Sequence, residues 1–220
     1  MPLPKTTRAD VLTYASAHIP DEDWHVEFFS FVADTRLRGQ LGKEYWAARS
    51  IYKMLEGVQA SGSLQRAQVK LQVLQYASLY EAVLHYLLFA KYQDTAEVRA
   101  LTEGTHRTNV AVSRDLRAKL TATTRVPDAE LVVMRVTAAE ADITKIRFDA
   151  KAAAAAALGL VTEPLRKDLV EVFSARNAIH LHAEIRKNLQ YQLELSRKAY
   201  RRMQPLQRQV VARLTTDGRI

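Results

Sequence analysis

The sequence predicts an all-α fold, and three observations support this prediction. Only 7 Gly and 6 Pro occur in 220 residues, so few positions interrupt a helix. Apolar residues recur at intervals of three and four along much of the chain, which is the spacing of one helix face. Residues 64–92 contain neither Gly nor Pro. We therefore expect a helical bundle in residues 61–220, an N-terminal helical extension in residues 1–60, and a possible small β or loop insertion.

The extension is predicted to contain three helices, at residues 6–19, 21–35 and 42–59. Pro20 divides the first two, and the sequence Ala-Ser-Gly-Ser at 60–63 is typical of a turn. A base-stacking platform needs exposed rings beside cations, and the sequence shows no such exposure. We therefore expect the aromatic residues of this part to lie in the core: Trp24, Phe28, Phe29, Phe31, Tyr45 and Trp46.

Residues 64–92 are predicted to form the central helix, because apolar groups cover most of its circumference. One polar stripe runs along it, formed by Gln72, Gln75, Ser78, Glu81 and His85. One interpretation is a solvated strip on an otherwise buried helix. The other is that Glu81 and His85, one turn apart, support a charged site elsewhere in the bundle.

Residues 100–158 have a less regular pattern. Alternation at 109–112 indicates a short strand or extended loop, and β-branched residues predict another strand at 127–134. Residues 137–158 are predicted to be helical, because they end in a run of six alanines. Basic residues are interleaved through 99–125, and they either contact RNA phosphates or belong to an ordinary solvated insertion.

Residues 162–187 are predicted to form a helix that carries the functional site. Thr162 can cap this helix, and a proline is tolerated in its first turn. A core-facing stripe with intervals of four, three, four and three contains Leu165, Leu169, Val172, Arg176 and Ile179. The stripe is therefore apolar except for one permanent cation.

Arg176 has two ordinary explanations, which are pairing with a buried carboxylate and extension of its alkyl stem to the surface. The neighbouring residues Asn177, His180 and His182 suggest a third explanation, a site for an anion. His180 points the same way as Arg176 on a continuous helix. His182 joins them only if the backbone bends or unwinds after Asn177.

Residues 188–203 are predicted to continue as a helix until Pro205 kinks or ends it. This is the most basic region of a chain with 32 Lys and Arg, 24 Asp and Glu, and a formal charge of +8. The region is either a solubilising tail or a face that follows phosphates, and we favour the second because few acids interrupt it. The residues expected to bind RNA are Arg186, Lys187, Arg197 and Arg201.

Several classes of site are excluded by composition. The chain has no cysteine, which excludes disulfides, thiolate metal sites and a cysteine nucleophile. It lacks a Gly-rich phosphate loop, a GxSxG elbow and an HExxH motif, so we expect no cofactor. His180, His182 and Glu184 are set aside as metal ligands, because alternate residues on a helix point apart. With no long apolar run and no secretory signal, a soluble cytoplasmic protein is expected.

The pair Arg176-Asn177 followed by a histidine, on the penultimate long helix of an all-helical domain, resembles the signature of the HEPN (higher eukaryotes and prokaryotes nucleotide-binding) superfamily. In that family an arginine, often followed by asparagine, precedes a histidine with four to six residues between them. His182 fits this spacing, whereas His180 is closer than the usual form. The helix at 68–92 also resembles the long early helix of such domains.

The resemblance covers roughly residues 64–214 and implies a metal-independent endoribonuclease. Arg176, His182 or His180 would be catalytic, and Asn177 would orient them. It further implies a homodimer with a composite active site, in which we expect the apolar stripe of Arg176 to be buried against the second chain. A toxin or phage-defence role is implied, with an antitoxin or defence partner protein. The alternatives are a catalytically inactive HEPN-like module that binds a protein, and a basic helical protein that binds nucleic acid without cutting it.

Overall fold

The structure is a computed structural model that describes residues 4–124 and 132–220. These residues form ten α-helices, which are α1 Lys5–Ala17, α2 Glu22–Glu27, α3 Thr35–Gly57, α4 Gly62–Tyr86, α5 Ala96–Thr102, α6 Arg114–Thr124, α7 Phe148–Ala157, α8 Glu163–Asn177, α9 Leu181–Lys187 and α10 Leu193–Thr216. A π-helical segment, Leu87–Lys91, continues α4, and the strands are β1 Glu103–Asn109 and β2 Met134–Glu140. The predicted all-α class with a small β insertion is confirmed.

The chain divides into two compact units. The helical body contains residues 4–93 and 147–220, and the insertion is Asp94–Ile146. In the insertion, β1 and β2 form an antiparallel pair with Glu103 opposite Glu140 and Asn109 opposite Met134. The insertion therefore interrupts the helical body between α4 with its π-helical segment and α7.

In the helical body α4 is the central helix, as predicted. It packs against α3, α7, α8 and α10. Its fully buried apolar residues include Val69, Val73, Tyr80 and Val83, which lie four, seven and three residues apart and so share one helix face. The hydroxyl of Tyr80 donates to the Ala199 carbonyl of α10. This hydrogen bond therefore ties α4 to α10.

Residues before 60 belong to the same compact unit as α4. The Gln72 amide donates to the Ala48 carbonyl of α3 at 2.8 Å, and the Ala33 N–H donates to the Tyr86 hydroxyl at 2.9 Å. The predicted turn at 60–63 is present, with positive φ at Gln59 (51°) and Gly62 (56°). The division of the chain into an extension and a main domain at this turn stays a prediction.

The structure corrects one element prediction and rules out one of the alternatives in two others. Residues 137–140 belong to β2 rather than to a helix, because strand pairing with β1 determines their conformation. Of the two alternatives at 109–112, a short strand or an extended loop, the structure has β1 ending at Asn109 and a loop at 110–113. Pro205 lies inside α10, which continues to Thr216, because buried Met203 and Leu206 hold the helix on both sides of the missing N–H. Of the strand predicted at 127–134, residues 127–131 lie outside the described residues.

No helix in the described ranges has the length and apolarity needed to cross a bilayer.

Candidate functional site

The helix predicted over 162–187 is interrupted. α8 ends at Asn177, Ala178 closes it with an N–H bonded to the Ala175 carbonyl at 3.0 Å, and α9 begins at Leu181. His180 has an extended conformation (φ −66°, ψ 130°) and is the N-cap of α9. The backbone therefore bends after Asn177, which is the condition under which His182 can approach Arg176.

Arg176 is half-buried in the last turn of α8. Its Nη1 donates to Asn177 Oδ1 at 3.1 Å, and its guanidinium carbon lies 5.2 Å from the Phe173 ring centroid. None of the ion pairs within residues 4–124 and 132–220 involves Arg176. The structure thus provides an aromatic ring and an amide for this cation rather than a buried carboxylate.

The three other residues of the predicted catalytic set, Asn177, His180 and His182, are exposed. They lie on the end of α8, on the bend and on the first turn of α9. The contact between Arg176 and Asn177 is the one that the predicted orienting role of Asn177 requires, and the role itself stays a prediction. The cation and both imidazoles are therefore open to solvent on one short stretch of chain.

Phe173 connects this stretch to α7, because its ring stacks on Phe148 at 4.2 Å with an interplanar angle of 11°. One turn further along α7, Lys151 is buried and its Nζ lies 3.8 Å from Glu81 Oε1. Burial, and then the charge of Lys151, lower the pKa of His85, while Glu81 acts in the opposite direction. In the described structure the cation beside Glu81 and His85 is therefore Lys151.

The predicted support of Arg176 by Glu81 and His85 stays a prediction. Sequence reasoning missed Lys151, which directly precedes the alanine run. Its position three residues after Phe148 was the available signal, because residues three apart share a helix face.

Two contacts hold the segment that carries the histidines. Glu184 of α9 is buried and accepts from Arg66 and, at 2.6 Å, from Lys70 Nζ of α4. The hydrogen bond from Lys70, opposed by burial and reinforced by Arg66, lowers the pKa of this carboxyl. Tyr191, after α9, donates to the Ala175 carbonyl of α8 at 2.8 Å. The segment is therefore attached to α4 through its helix and to α8 at its end.

Glu184 thus serves as an ion-pair partner of α4. Among the residues whose placement is described, no group of three or more His, Asp or Glu side chains is positioned to hold a metal ion.

The basic residues expected to bind RNA have different environments. Arg186 and Lys187 are exposed in the last turn of α9. Arg197 and Arg201 are exposed on α10, with Nη1 atoms 4.0 Å and 3.2 Å from carboxylate oxygens of Glu194. All four are therefore accessible to a phosphate chain.

Other cations of α10 are paired with acids from α8, so the basic face is interrupted in space although few acids interrupt it in sequence. Lys198 Nζ lies 2.7 Å from both Asp168 Oδ1 and Glu171 Oε2, and Arg202 Nε lies 2.5 Å from Asp168 Oδ2. Although burial acts to raise it, hydrogen bonds from Lys198 and Arg202 lower the pKa of Asp168. The acids were missed because they are distant in sequence.

The apolar stripe of α8 is buried within the chain itself. Leu165, Leu169 and Val172 belong to the core of the helical body, where α8 packs against α4, α7 and α10. The expectation that this stripe is buried against a second chain is therefore wrong. Only its end, at Arg176 and Ile179, is half-exposed.

A cavity of about 360 Å³ lies between the end of α1, α3, α4 and α10. Four cations line it, together with one carboxylate, Glu56; the cations are Arg49, Lys53, Arg197 and Arg201. An adjoining cavity of about 590 Å³ shares Arg49, Tyr200 and Arg201 with the first. Sequence reasoning missed Arg49 and Lys53, because tertiary packing alone brings α3 to α10.

Trp24 lines the second cavity and is 45% exposed, so its expected core position is wrong. Trp46 also lies at the surface, whereas Phe29, Phe31 and Tyr45 are buried as expected. Trp24 is thus an exposed ring beside a cation, Arg49, which is an arrangement that the sequence did not reveal.

Comparison of the chain with family models, with curated proteins and with solved structures finds no match. Function is therefore inferred from the chemistry of these side chains. A guanidinium presents several donors suited to phosphate oxygens, and an imidazole is the side chain that exchanges protons most readily near neutral pH.

Proposed function

We propose that the protein is a metal-independent endoribonuclease whose catalytic residues are Arg176 and one of two histidines, His182 or His180. The observation that carries the proposal is the accessibility of the Arg176 cation, which rests on Phe173 and bonds to Asn177 while both imidazoles lie exposed on the next few residues. This is the activity that the resemblance to the HEPN superfamily implies.

RNA can be cut without a metal because its 2′-hydroxyl is an internal nucleophile. A bond forms between the 2′-oxygen and phosphorus as the bond from phosphorus to the 5′-oxygen breaks. An imidazole accepts the 2′-hydroxyl proton, and the imidazolium so formed gives a proton to the departing 5′-oxygen. Arg176 stabilises the negative charge that develops on the phosphoryl oxygens. The products are a 2′,3′-cyclic phosphate and a 5′-hydroxyl end.

Substrate binding is assigned to the exposed cations Arg186, Lys187, Arg197 and Arg201. Arg186 and Lys187 lie on α9, the short helix that contains His182 and is capped by His180. Each phosphate that such a cation contacts adds affinity that weakens as salt rises.

A homodimer with a composite site is part of the proposal, since a second copy would supply a second Arg176. Supporting this, Asn177, His180 and His182 are all at the surface, and Ile185 beside them is 76% exposed. By the same resemblance, the protein would act in the cytoplasm as a toxin or phage-defence effector, with an antitoxin or defence protein as partner.

The test is cleavage of total RNA by the purified protein in EDTA. We expect Arg176→Ala, and the double variant His180→Ala with His182→Ala, to lose at least about 100-fold in rate. Arg36→Ala is the charge-matched control, because Arg36 is exposed at the start of α3 and should leave the rate unchanged. If both site variants fold normally and cut RNA as fast as wild type, the assignment is wrong.

The two single histidine variants then identify the catalytic imidazole. Loss confined to His182→Ala agrees with the family spacing, and loss confined to His180→Ala assigns the N-cap residue of α9. In both cases an RNA with a single 2′-deoxy nucleotide should resist cleavage at that position, because the internal nucleophile is missing.

A second candidate is a catalytically inactive HEPN-like module that binds nucleic acid or protein. The exposed cations of α9 and α10 favour it, since they can hold phosphates without any proton transfer. Salt-sensitive RNA binding with intact RNA after long incubation would select a nucleic-acid module. Co-purification with a second protein that survives Arg176→Ala would select a protein-binding module.

A further inference from the structure

Arg49 of α3 is held by aromatic rings. Its guanidinium carbon lies 5.6 Å from the Trp24 ring centroid, 5.8 Å from that of Tyr45 and 5.5 Å from that of Tyr200. No ion pair among residues 4–124 and 132–220 involves Arg49, although the side chain is half-buried. Arg49 is therefore a half-buried cation that lines the cavity and has no carboxylate partner among the described residues.

His25 fixes the direction of this guanidinium. Its Nδ1 lies 2.6 Å from the Asp21 carbonyl, and its Nε2 lies 3.0 Å from Arg49 Nη1. Burial, and also the charge of Arg49, lower the pKa of His25, while the bond to the Asp21 carbonyl acts against them. A neutral ring fits both contacts, because Nδ1 then donates to the carbonyl and Nε2 accepts from Arg49. One donor of the guanidinium is thereby used, and the others remain available to a ligand.

The remaining charges of the cavity increase its positive potential. Lys53, Arg197 and Arg201 line it with Arg49, and Glu56 is the carboxylate in the lining. Glu56 is already engaged, because it accepts from Lys53 Nζ at 2.6 Å and from the Tyr14 hydroxyl at 3.0 Å. Glu194, outside the lining, lies 4.0 Å from Arg197 Nη1 and 3.2 Å from Arg201 Nη1. The four cations therefore exceed the two carboxylates Glu56 and Glu194, and a concave site with excess positive charge attracts an anion more strongly than the same charges on a flat surface.

The inner wall of the cavity carries two buried polar side chains, Gln72 and Ser196. The Ser196 hydroxyl donates to Gln72 Oε1, and the Gln72 amide donates to the Ala48 carbonyl at 2.8 Å. The serine oxygen keeps lone pairs, and the amide keeps a second hydrogen. The inner wall therefore offers neutral hydrogen-bonding groups beside the cations, as a polar ligand requires.

We propose that this cavity binds a phosphomonoester that carries a planar ring. Arg49, Arg197 and Arg201 contact the phosphate, and Tyr200 stacks on the ring. Tyr200 suits this role because it lines both cavities and is 41% exposed. Base-on-aromatic stacking is typical of such rings, and the volume is within the range of small-ligand pockets.

This site shares Arg197 and Arg201 with the proposed RNA-binding residues, but it contains none of the proposed catalytic residues and does not depend on RNA being cut. A phosphomonoester of this kind has two possible sources, a free nucleotide and the 5′-phosphate end of an RNA chain. Both present the same phosphate and ring, and the experiment below distinguishes them.

The experiment measures the binding of AMP, inorganic phosphate and adenosine to the full chain. Trp24 and Trp46 are the two tryptophans in the sequence, so Trp46→Phe leaves Trp24 as the reporter beside the cavity. We expect AMP to change the fluorescence and to bind at least about tenfold more tightly than either phosphate or adenosine, because a charged hydrogen bond and a stacked ring each contribute about tenfold.

Variants identify the cations. Arg197→Gln and Arg201→Gln change exposed side chains of α10, and each should weaken AMP binding by about tenfold. Arg208→Gln is the matched control, because Arg208 is exposed on α10 outside both cavity linings and should bind AMP as wild type does. Arg49→Lys keeps a charge but removes the guanidinium, and it should weaken AMP binding in a protein that remains folded.

Paired RNA oligonucleotides with a 5′-phosphate or a 5′-hydroxyl separate the sources. Tighter binding of the phosphorylated RNA, with competition by AMP, supports a chain end, and binding of AMP without such a preference supports a free nucleotide. The proposal is overturned if AMP does not bind at millimolar concentration, if adenosine binds equally well, or if neither arginine variant changes the affinity. Arg176→Ala should leave AMP binding unchanged, so failure here is distinguishable from failure of the ribonuclease proposal.

Discussion

Tyr191 donates its phenolic hydrogen to the carbonyl of Ala175 at 2.8 Å, directly before Arg176 in the chain. The bond joins the residue that follows the histidine segment to the last turn of α8, and it lies in the core, where burial raises the pKa of Tyr191 to about 12. The phenol therefore stays a donor over the whole physiological range. The positions of Arg176 and of the segment after it are linked by this contact.

The first prediction concerns this bond. Tyr191→Phe removes the phenolic donor and leaves the Ala175 carbonyl with the Ala178 N–H alone. This should lower the free energy of unfolding by about 0.5–1.5 kcal/mol. Urea denaturation measures this loss, and Tyr200→Phe, with an exposed ring, is a control expected to change stability by less than about 0.5 kcal/mol. Equal stability of Tyr191→Phe and wild type would show that the bond does not hold the segment.

Two glycines of α3 provide a matched pair. A Cβ on Gly42 would lie 2.6 Å from Val26 Cγ2 and 2.7 Å from the Val26 backbone, whereas a Cβ on Gly39 would meet nothing within 4 Å. Gly42→Ala should therefore destabilise the protein by about 1–3 kcal/mol through overpacking against α2. Gly39→Ala should stabilise it by about 0.5–1 kcal/mol through helix propensity. Opposite signs in thermal denaturation would confirm the close approach of α2 and α3.

Lys151 and Glu81 should respond differently to replacement. Lys151→Met removes a buried charge and keeps the length of the side chain, so stability should be unchanged or increased by about 1–4 kcal/mol. Glu81→Gln leaves the buried Lys151 cation without its carboxylate, 3.8 Å away in the structure, and should be destabilising. Chemical denaturation of both variants tests this asymmetry. A strong loss of stability in Lys151→Met alone would contradict it.

His25 should make stability depend on pH. Its pKa is lowered from the ordinary value of 6.5 by burial and by the charge of Arg49, so the unfolded chain takes up a proton more readily than the folded chain. The contribution is fully present above the ordinary value and is lost as pH falls through the folded-state pKa. Asp21, Glu22 and Tyr45 also surround this ring.

The measurement compares the free energy of unfolding at about pH 7.5 and about pH 5.5. Wild type should be less stable at the lower pH, and His25→Gln should show a smaller difference between the two. His85, whose pKa is lowered by burial and by Lys151, contributes in the same direction and remains in both proteins. An unchanged pH dependence in His25→Gln would mean that folding does not lower the pKa of His25, and it would contradict the prediction.

Local patterns were sufficient for much of the fold. Helical spacing and the long stretch without Gly or Pro predicted α4 as the central helix, and weak periodicity marked the insertion where β1 and β2 occur. The same spacing identified Arg176 as a cation on an apolar stripe. These features were predictable because they depend on residues within a few turns of one another.

Contacts between distant residues decided the remainder. Neither Gly nor Pro marks the end of α8 at Asn177. Glu184 ties the following segment to α4, and Tyr191 ties it to α8. Pro205 remains inside α10 because the packing on both sides outweighs one missing hydrogen bond. Local propensity is weak compared with such tertiary contacts.

The sequence by itself determined an all-α protein with a net positive charge and a conspicuous arginine at position 176. Only the tertiary structure decided which cations are neutralised by carboxylates and which remain available to bind an anion. Lys198 and Arg202 pair with acids from α8, whereas Arg49 contacts aromatic rings and the imidazole of His25. The physical reason is that charge neutralisation acts through space over a few ångströms, and folding brings together side chains that lie far apart along the chain.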